Sequence, residues 1–163
     1  MKKVILLLMM VSLTGTAIFS DTPPYRVAYV PVFMSRETLE NSVKYISGAR
    51  DMIQTGKIYY RAPYIYVNER YKGVHVINNT DPAHPVNEGF ILAPGCIDMA
   101  VKGNILYLDN SVDLVSFDLD GKQVTKRIRE VFPEPTPPDD FSYYPYERPN
   151  GYVLVEWKKT TLK

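Results

Sequence analysis

Tyr64-Ile65-Tyr66-Val67-Asn68-Glu69-Arg70-Tyr71-Lys72-Gly73-Val74-His75-Val76-Ile77-Asn78 is the stretch whose reading decides the fold. Two runs rich in Tyr, Val and Ile flank a polar break that ends on a glycine. Side chains of these types fit a pleated, half-buried surface, and each run is too short for an ordinary helix. The stretch therefore predicts two strands joined by the turn Glu69 to Gly73. Strand signals continue on either side. Lys57 to Arg61 is separated from Tyr64 by Ala62-Pro63, and Gly89 to Ala93 is ended by Pro94-Gly95. Between them lies Asn78-Asn79-Thr80-Asp81-Pro82, a dense turn in which Asn and Asp bond their own backbone and Pro fixes φ.

The same sentence is then written again. At an offset of 41, Ile58 falls on Met99, Tyr60 on Val101, Tyr64 on Ile105 and Tyr66 on Tyr107. After the polar turn the offset drops to 40, and Val74-His75-Val76-Ile77-Asn78 falls on Leu114-Val115-Ser116-Phe117-Asp118. One deleted turn residue accounts for the change. Gly103-Asn104 and Asp120-Gly121 are hairpin-turn signals within the second unit. A repeat of about 40 residues with four short strands has the size of one propeller blade.

Outside the two units the patterns are looser. Arg26 to Phe33 is β-like, with Pro31 marking an edge position or an interruption. Ser35 to Asn41 suits a short helical turn capped by Ser35. Val43 to Ile46 fits a helix or a strand. Phe132-Pro133-Glu134-Pro135-Thr136-Pro137-Pro138 is predicted to be an extended linker or surface loop. Tyr143, Tyr144 and Tyr146 crowd around Pro145, and such a cluster can cover a sheet edge or form a binding patch. Tyr152 to Trp157 is a last strand, followed by a basic tail.

The 163 residues carry 13 Tyr and 13 Pro, a mixture that leans to β and away from a helix bundle. A formal net charge of +1 gives no single-sign field, which argues against nucleic acid as a partner. Lys2 and Lys3 precede a short apolar run, with small residues near Ala17 and Ser20. That is the pattern of a secretory signal peptide, cleaved after one of those two positions, and it is short for a transmembrane helix. Leu13-Thr14-Gly15 looks like the start of a lipoprotein processing site, but Thr16 stands where the lipidated Cys belongs. Export without a lipid anchor, to the periplasm or cell surface, is the expectation.

The residues from Gly56 to Asp109 resemble the LVIVD-repeat proteins. Those are bacterial and archaeal surface or periplasmic proteins, common in Bacteroidetes, with β-propeller architecture. Their repeat core, an aliphatic run closing on Asp or Asn, reads here as Gly73-Val74-His75-Val76-Ile77-Asn78 and Leu114-Val115-Ser116-Phe117-Asp118. Pro31 to Glu37 is similar to their leading segment. The resemblance spans roughly residues 26 to 131 and implies fold and location, with no catalytic residue to carry over. Thr16 and the short chain depart from the family pattern.

The expected architecture is mostly all-β: propeller-blade-like antiparallel four-stranded repeats forming an incomplete β-propeller, with a short helical turn near residues 35–41. In order, the expected segments are a signal peptide (1–20), a leading segment (21–55), a first repeat (56–95), a second repeat (96–131), a Pro/Tyr-rich linker (132–150) and a terminal strand with basic tail (151–163).

Tests for chemistry yield little. Asp118-x-Asp120-Gly121 begins like a calcium loop, but its twelfth position is Arg129, and a start at Asp109 puts Leu114 where the sharp turn needs Gly. Asp109, Asp113, Asp139 and Asp140 read as solvated loop acids. Cys96 reads as a small buried hydrophobe, and one Cys permits no internal disulfide. His75 reads as a packed strand residue and His84 as a loop residue, too few for a zinc site. No metal, cofactor or catalytic residue is expected. The function expected is a non-catalytic binding or structural module at the cell envelope. The rivals are a propeller-type enzyme with a site on one rim, or a truncated product of a longer protein. Partners are an envelope protein or a second copy through open sheet edges, with Tyr143, Tyr144, Tyr146, Arg70 and Tyr71 as the candidate surface.

Overall fold

The computed structural model describes residues 26–138 and 147–162. The segment expected to be a signal peptide (1–20) and the Tyr143 to Tyr146 cluster lie outside the described residues. The described chain is mostly β and antiparallel throughout. β1 (Arg26–Ser35) leads into a one-turn helix, α1 (Arg36–Glu40), whose cap Ser35 accepts the Thr38 N–H through Oγ at 3.2 Å. β2 (Lys44–Ser47) follows. The first large sheet continues with β3 (Thr55–Arg61), β4 (Tyr64–Glu69), β5 (Gly73–Asn78) and β6 (Val86–Leu92). The second has β7 (Met99–Lys102), β8 (Ile105–Asn110), β9 (Asp113–Asp118) and β10 (Gln123–Ile128), and β11 (Tyr152–Leu162) closes the chain.

Each large sheet is a meander, β3-β4-β5-β6 and β7-β8-β9-β10. The first departs from the four-stranded expectation because β2 pairs with β6 as a fifth strand. The two ladders share one register. Tyr66 pairs with Val76 as Tyr107 pairs with Ser116, and Val67 with His75 as Leu108 with Val115. Ile58 pairs with Val67 as Met99 with Leu108. The register break on the last strand falls at matching places, beside Val76/Ile77 and beside Ser116/Phe117.

The sheets pack face to face over a single core, and the faces that meet are not equivalent. The first sheet contributes Tyr66, Val74, Val76 and Ile91, while the second contributes Met99, Val101, Leu106, Leu108, Val115 and Phe117. By the shared register, the second set corresponds to Ile58, Tyr60, Ile65, Val67, His75 and Ile77, which lie on the opposite side of the first sheet. The units therefore stack head to tail.

β1 and β11 form a separate two-stranded ribbon, from Arg26 against Leu162 to Ser35 against Tyr152. A strand with one neighbour tolerates the missing N–H of Pro31, and the register shifts right after it, between Val32 and Phe33. The ribbon lies against the hairpin ends of both sheets. Leu154 and Trp157 pack with Tyr71 of the first turn, while Val153 and Val155 pack with Val112 of the second and with Leu39 of α1. The expected basic tail is thus a continuation of β11 through Leu162. Residues 132–138 do not lead away as a linker. Val131 and Phe132 both donate to the Val112 carbonyl, at 2.8 and 2.9 Å, and Trp157 Nε1 donates to that of Pro135 at 2.7 Å. The segment is a strap tied at its start and again at Pro135. Among the described residues no helix is long and apolar enough to cross a membrane.

Candidate binding face

The turn Glu69 to Lys72, which carries the candidate surface residues Arg70 and Tyr71, is split between interior and surface. Only Arg70 and Lys72 are exposed. Tyr71 is 4% exposed, its backbone left-handed at φ 63°. Its N–H donates to the Cys96 carbonyl at 2.6 Å, and its own carbonyl accepts from Gly95 at 3.0 Å. Its ring sits under the ribbon beside Leu154 and Trp157. Tyr71 is therefore a core residue that joins the two sheets to the ribbon, not a contact residue. Glu69 is buried as well, because its carboxylate accepts the N–H groups of Ile53 and Gln54, the latter at 2.6 Å, and faces His75 Nε2 at 3.3 Å. Segment 48–54 thereby covers the lower outer side of the first sheet, with Arg50 over the Phe90 ring at 5.1 Å. His75 has its edge against Phe90 at 4.8 Å, and its Nδ1 has no protein partner. His84 is exposed and bonded to Asp81 at 2.9 Å.

Both exposed members of the turn border cavities, Lys72 a smaller one beside His75 and Phe90, and Arg70 also the cleft on the second sheet. The Arg70 guanidinium lies 5.1 Å from the Tyr71 ring centre and donates to the Tyr71 hydroxyl at 3.3 Å. Among the described residues it makes no ion pair. It borders a cleft of about 600 Å³ on the outer face of the second sheet. Ala100, Tyr107 and Leu114 form the floor, and the strap from Phe132 to Thr136 forms one wall. Alternation places these floor residues opposite the core-facing Met99, Leu108 and Val115.

Three carboxylates line the cleft, and each is engaged. Asp98 is paired with Lys57 Nζ at 2.7 Å, and Glu134 with Arg148 at 2.7 Å. Asp109 accepts the N–H groups of Ile97 and Asp98 at 2.8 and 2.9 Å. Burial pushes the Asp109 carboxyl up, against the pull of those backbone bonds. Asp109 is a strand residue of β8, half-buried, and not the solvated loop acid that an Asp at the end of an aliphatic run suggests. Asp113 is the larger departure. It opens β9 fully buried, with both oxygens on Arg36 Nη1 at 2.7 and 2.8 Å and one on Arg127 Nη1 at 2.8 Å. Burial pushes its carboxyl up, but the hydrogen bonds from Arg36, the Glu130 N–H and Arg127 outweigh that and hold it below the ordinary range.

Cys96 is fully buried, accepting from Asn68 Nδ2 at 3.3 Å. Burial, with Asp109 nearby, pushes its thiol well above the ordinary value, so it is held as a neutral thiol rather than a nucleophile. Among the described residues no three His, Cys, Asp or Glu side chains gather as metal ligands. The cleft offers an apolar floor, an aromatic ring and a fixed guanidinium, a combination suited to holding a surface rather than to moving protons. In the sequence Tyr107 and Ala100 read only as strand residues of the second repeat, and the strap only as a Pro-rich linker or surface loop; nothing marked them as lining one cleft. Comparison with protein-family models, with characterised proteins and with solved structures yields no match.

Proposed function

We propose that the chain is an exported, LVIVD-repeat-like protein that serves as a non-catalytic binding module at the cell envelope, with the outer face of the second sheet as its binding face. The cleft carries this reading. Its floor is apolar, its carboxylates are committed to Lys57, Arg148 and backbone N–H groups, and its Arg70, held on Tyr71, makes no ion pair among the described residues. Aromatic and Arg side chains are the residue types that anchor protein interfaces. The matched ladders and the head-to-tail packing support an arrangement of propeller-blade type, in which each unit offers one face to the next. The basic and apolar start of the chain supports export.

The test has two arms. Fractionation of cells carrying a C-terminally tagged chain is expected to find a product shortened by about 20 residues in the envelope fraction. Affinity capture from an envelope extract is then compared between the natural chain and an Arg70→Ala, Tyr107→Ala double variant. Loss of a captured partner in the variant is the expected result, and equal capture counts against the face.

A further inference from the structure

The outer side of the first sheet carries an apolar row that is only partly covered. Ile58 is 69% and Tyr60 61% exposed, and Ile65 and Ile77 beside them are half-buried. The pairings of Ile58 with Val67, Tyr60 with Ile65 and Ile65 with Ile77 set these residues on one side. Their counterparts in the second sheet are Met99, Val101, Leu106 and Phe117, which are 7%, 8%, 0% and 1% exposed. The same row in the same ladder is interior in one sheet and surface in the other.

The difference lies in what covers it. In the second sheet the row rests on the inner face of the first, on Tyr66, Val74 and Val76. The register makes Tyr107, Leu114 and Ser116 the counterparts of those three. They sit half-buried on the outer face of the second sheet, at the floor of the cleft and beside it. The molecule thus displays, at its two ends, the two halves of the contact it already makes at its centre. Exposed apolar patches of this kind mark interaction sites.

We infer that the partner of the binding face is a second copy of this chain, docked by the row Ile58, Tyr60, Ile65 and Ile77 onto the face around Tyr107. This rests on the reading of that face as the binding surface. The two halves are different surfaces, so the contact is heterologous: it closes as a ring or continues as a stack.

Mass measured by light scattering on the full chain over a concentration series tests the inference. The natural chain is expected to show at least a twofold rise in mass. Tyr60→Lys on the row and Ala100→Lys on the face both fall at exposed positions, and each is expected to stay monomeric with natural circular dichroism and melting. Mixed, the two are expected to form a one-to-one dimer and nothing larger, since one intact row and one intact face remain to meet. Ile58→Lys and Tyr107→Lys give a second variant on each surface if a first one folds poorly. A natural chain that stays monomeric throughout overturns the inference, as does a mixture that does not dimerise. If the natural chain is monomeric yet its face still captures an envelope protein, the binding reading stands and only the identity of the partner falls. If capture is also absent, both fall.

Discussion

Asp113 shows how much a single residue can hold together. Its carboxylate joins Arg36, just after β1, to Arg127 in β10, and takes the Glu130 N–H at 3.1 Å. Removing one member of a buried ion cluster costs about 3–5 kcal/mol because the remaining charges lose their compensation. Asp113→Ala is expected to lose that much in denaturant unfolding. The pH dependence follows from the direction of the shift. The folded carboxyl lies below its unfolded value of about 3.9, so its contribution is whole above that value and is lost as pH falls toward the folded one. The natural chain should lose stability across that acid range, and the variant should show a flatter acid limb. None of this was legible in the sequence. An Asp after a polar turn reads as a turn residue, and its partner Arg36 lies 77 positions away. Arg70 was legible as an exposed cation. Tyr71, next to it, was not legible as interior, because the ribbon that covers it is made by the far end of the chain.

At the scale of the element, sequence reading did better. Alternating Tyr, Val and Ile mark β4 and β5, and the drop in offset from 41 to 40 reappears as a turn one residue shorter between two ladders of identical register. The hairpin turns and the one-turn helix were readable because Gly, Asn, Asp and Ser act locally. The place of β2 was not, since its partner β6 is chosen by packing and not by its own four residues. Gly73 is the point where local chemistry and long-range approach coincide. Its φ is 143°, and a Cβ there would collide with the Ile91 carbonyl oxygen. Gly73→Ala is expected to destabilise by roughly 2–4 kcal/mol, the sum of backbone strain and overpacking. Gly103→Ala has the open space that Gly73 lacks, although its φ of 60° still carries strain. Thermal melts of the two variants should therefore separate clearly, with Gly73→Ala the lower.

At the scale of the molecule, the sheets were legible and their closure was not. Two stacked sheets bury one face each. The ribbon then covers the hairpin ends with Leu154, Trp157, Val153 and Val155. Removing residues 152–163 takes away β11, leaves β1 without a partner among the described strands and exposes Tyr71, Val112 and Leu39. The truncated chain is expected to melt with a broad transition and to bind the dye ANS, while the full chain melts sharply and does not.

The pairing of β1 with β11 also puts a clock on the chain. Arg26 meets Leu162, so among the described strands β1 has no partner until β11 has been made. Pairings so distant in sequence bear the cost of closing a long loop before any contact rewards them, and they form late. While synthesis is under way, each sheet can assemble from its own hairpins, but the ends that the ribbon will cover stay open. The two sheets can therefore form before the ribbon that covers their ends, and the ribbon forms only once β1 and β11 are both present.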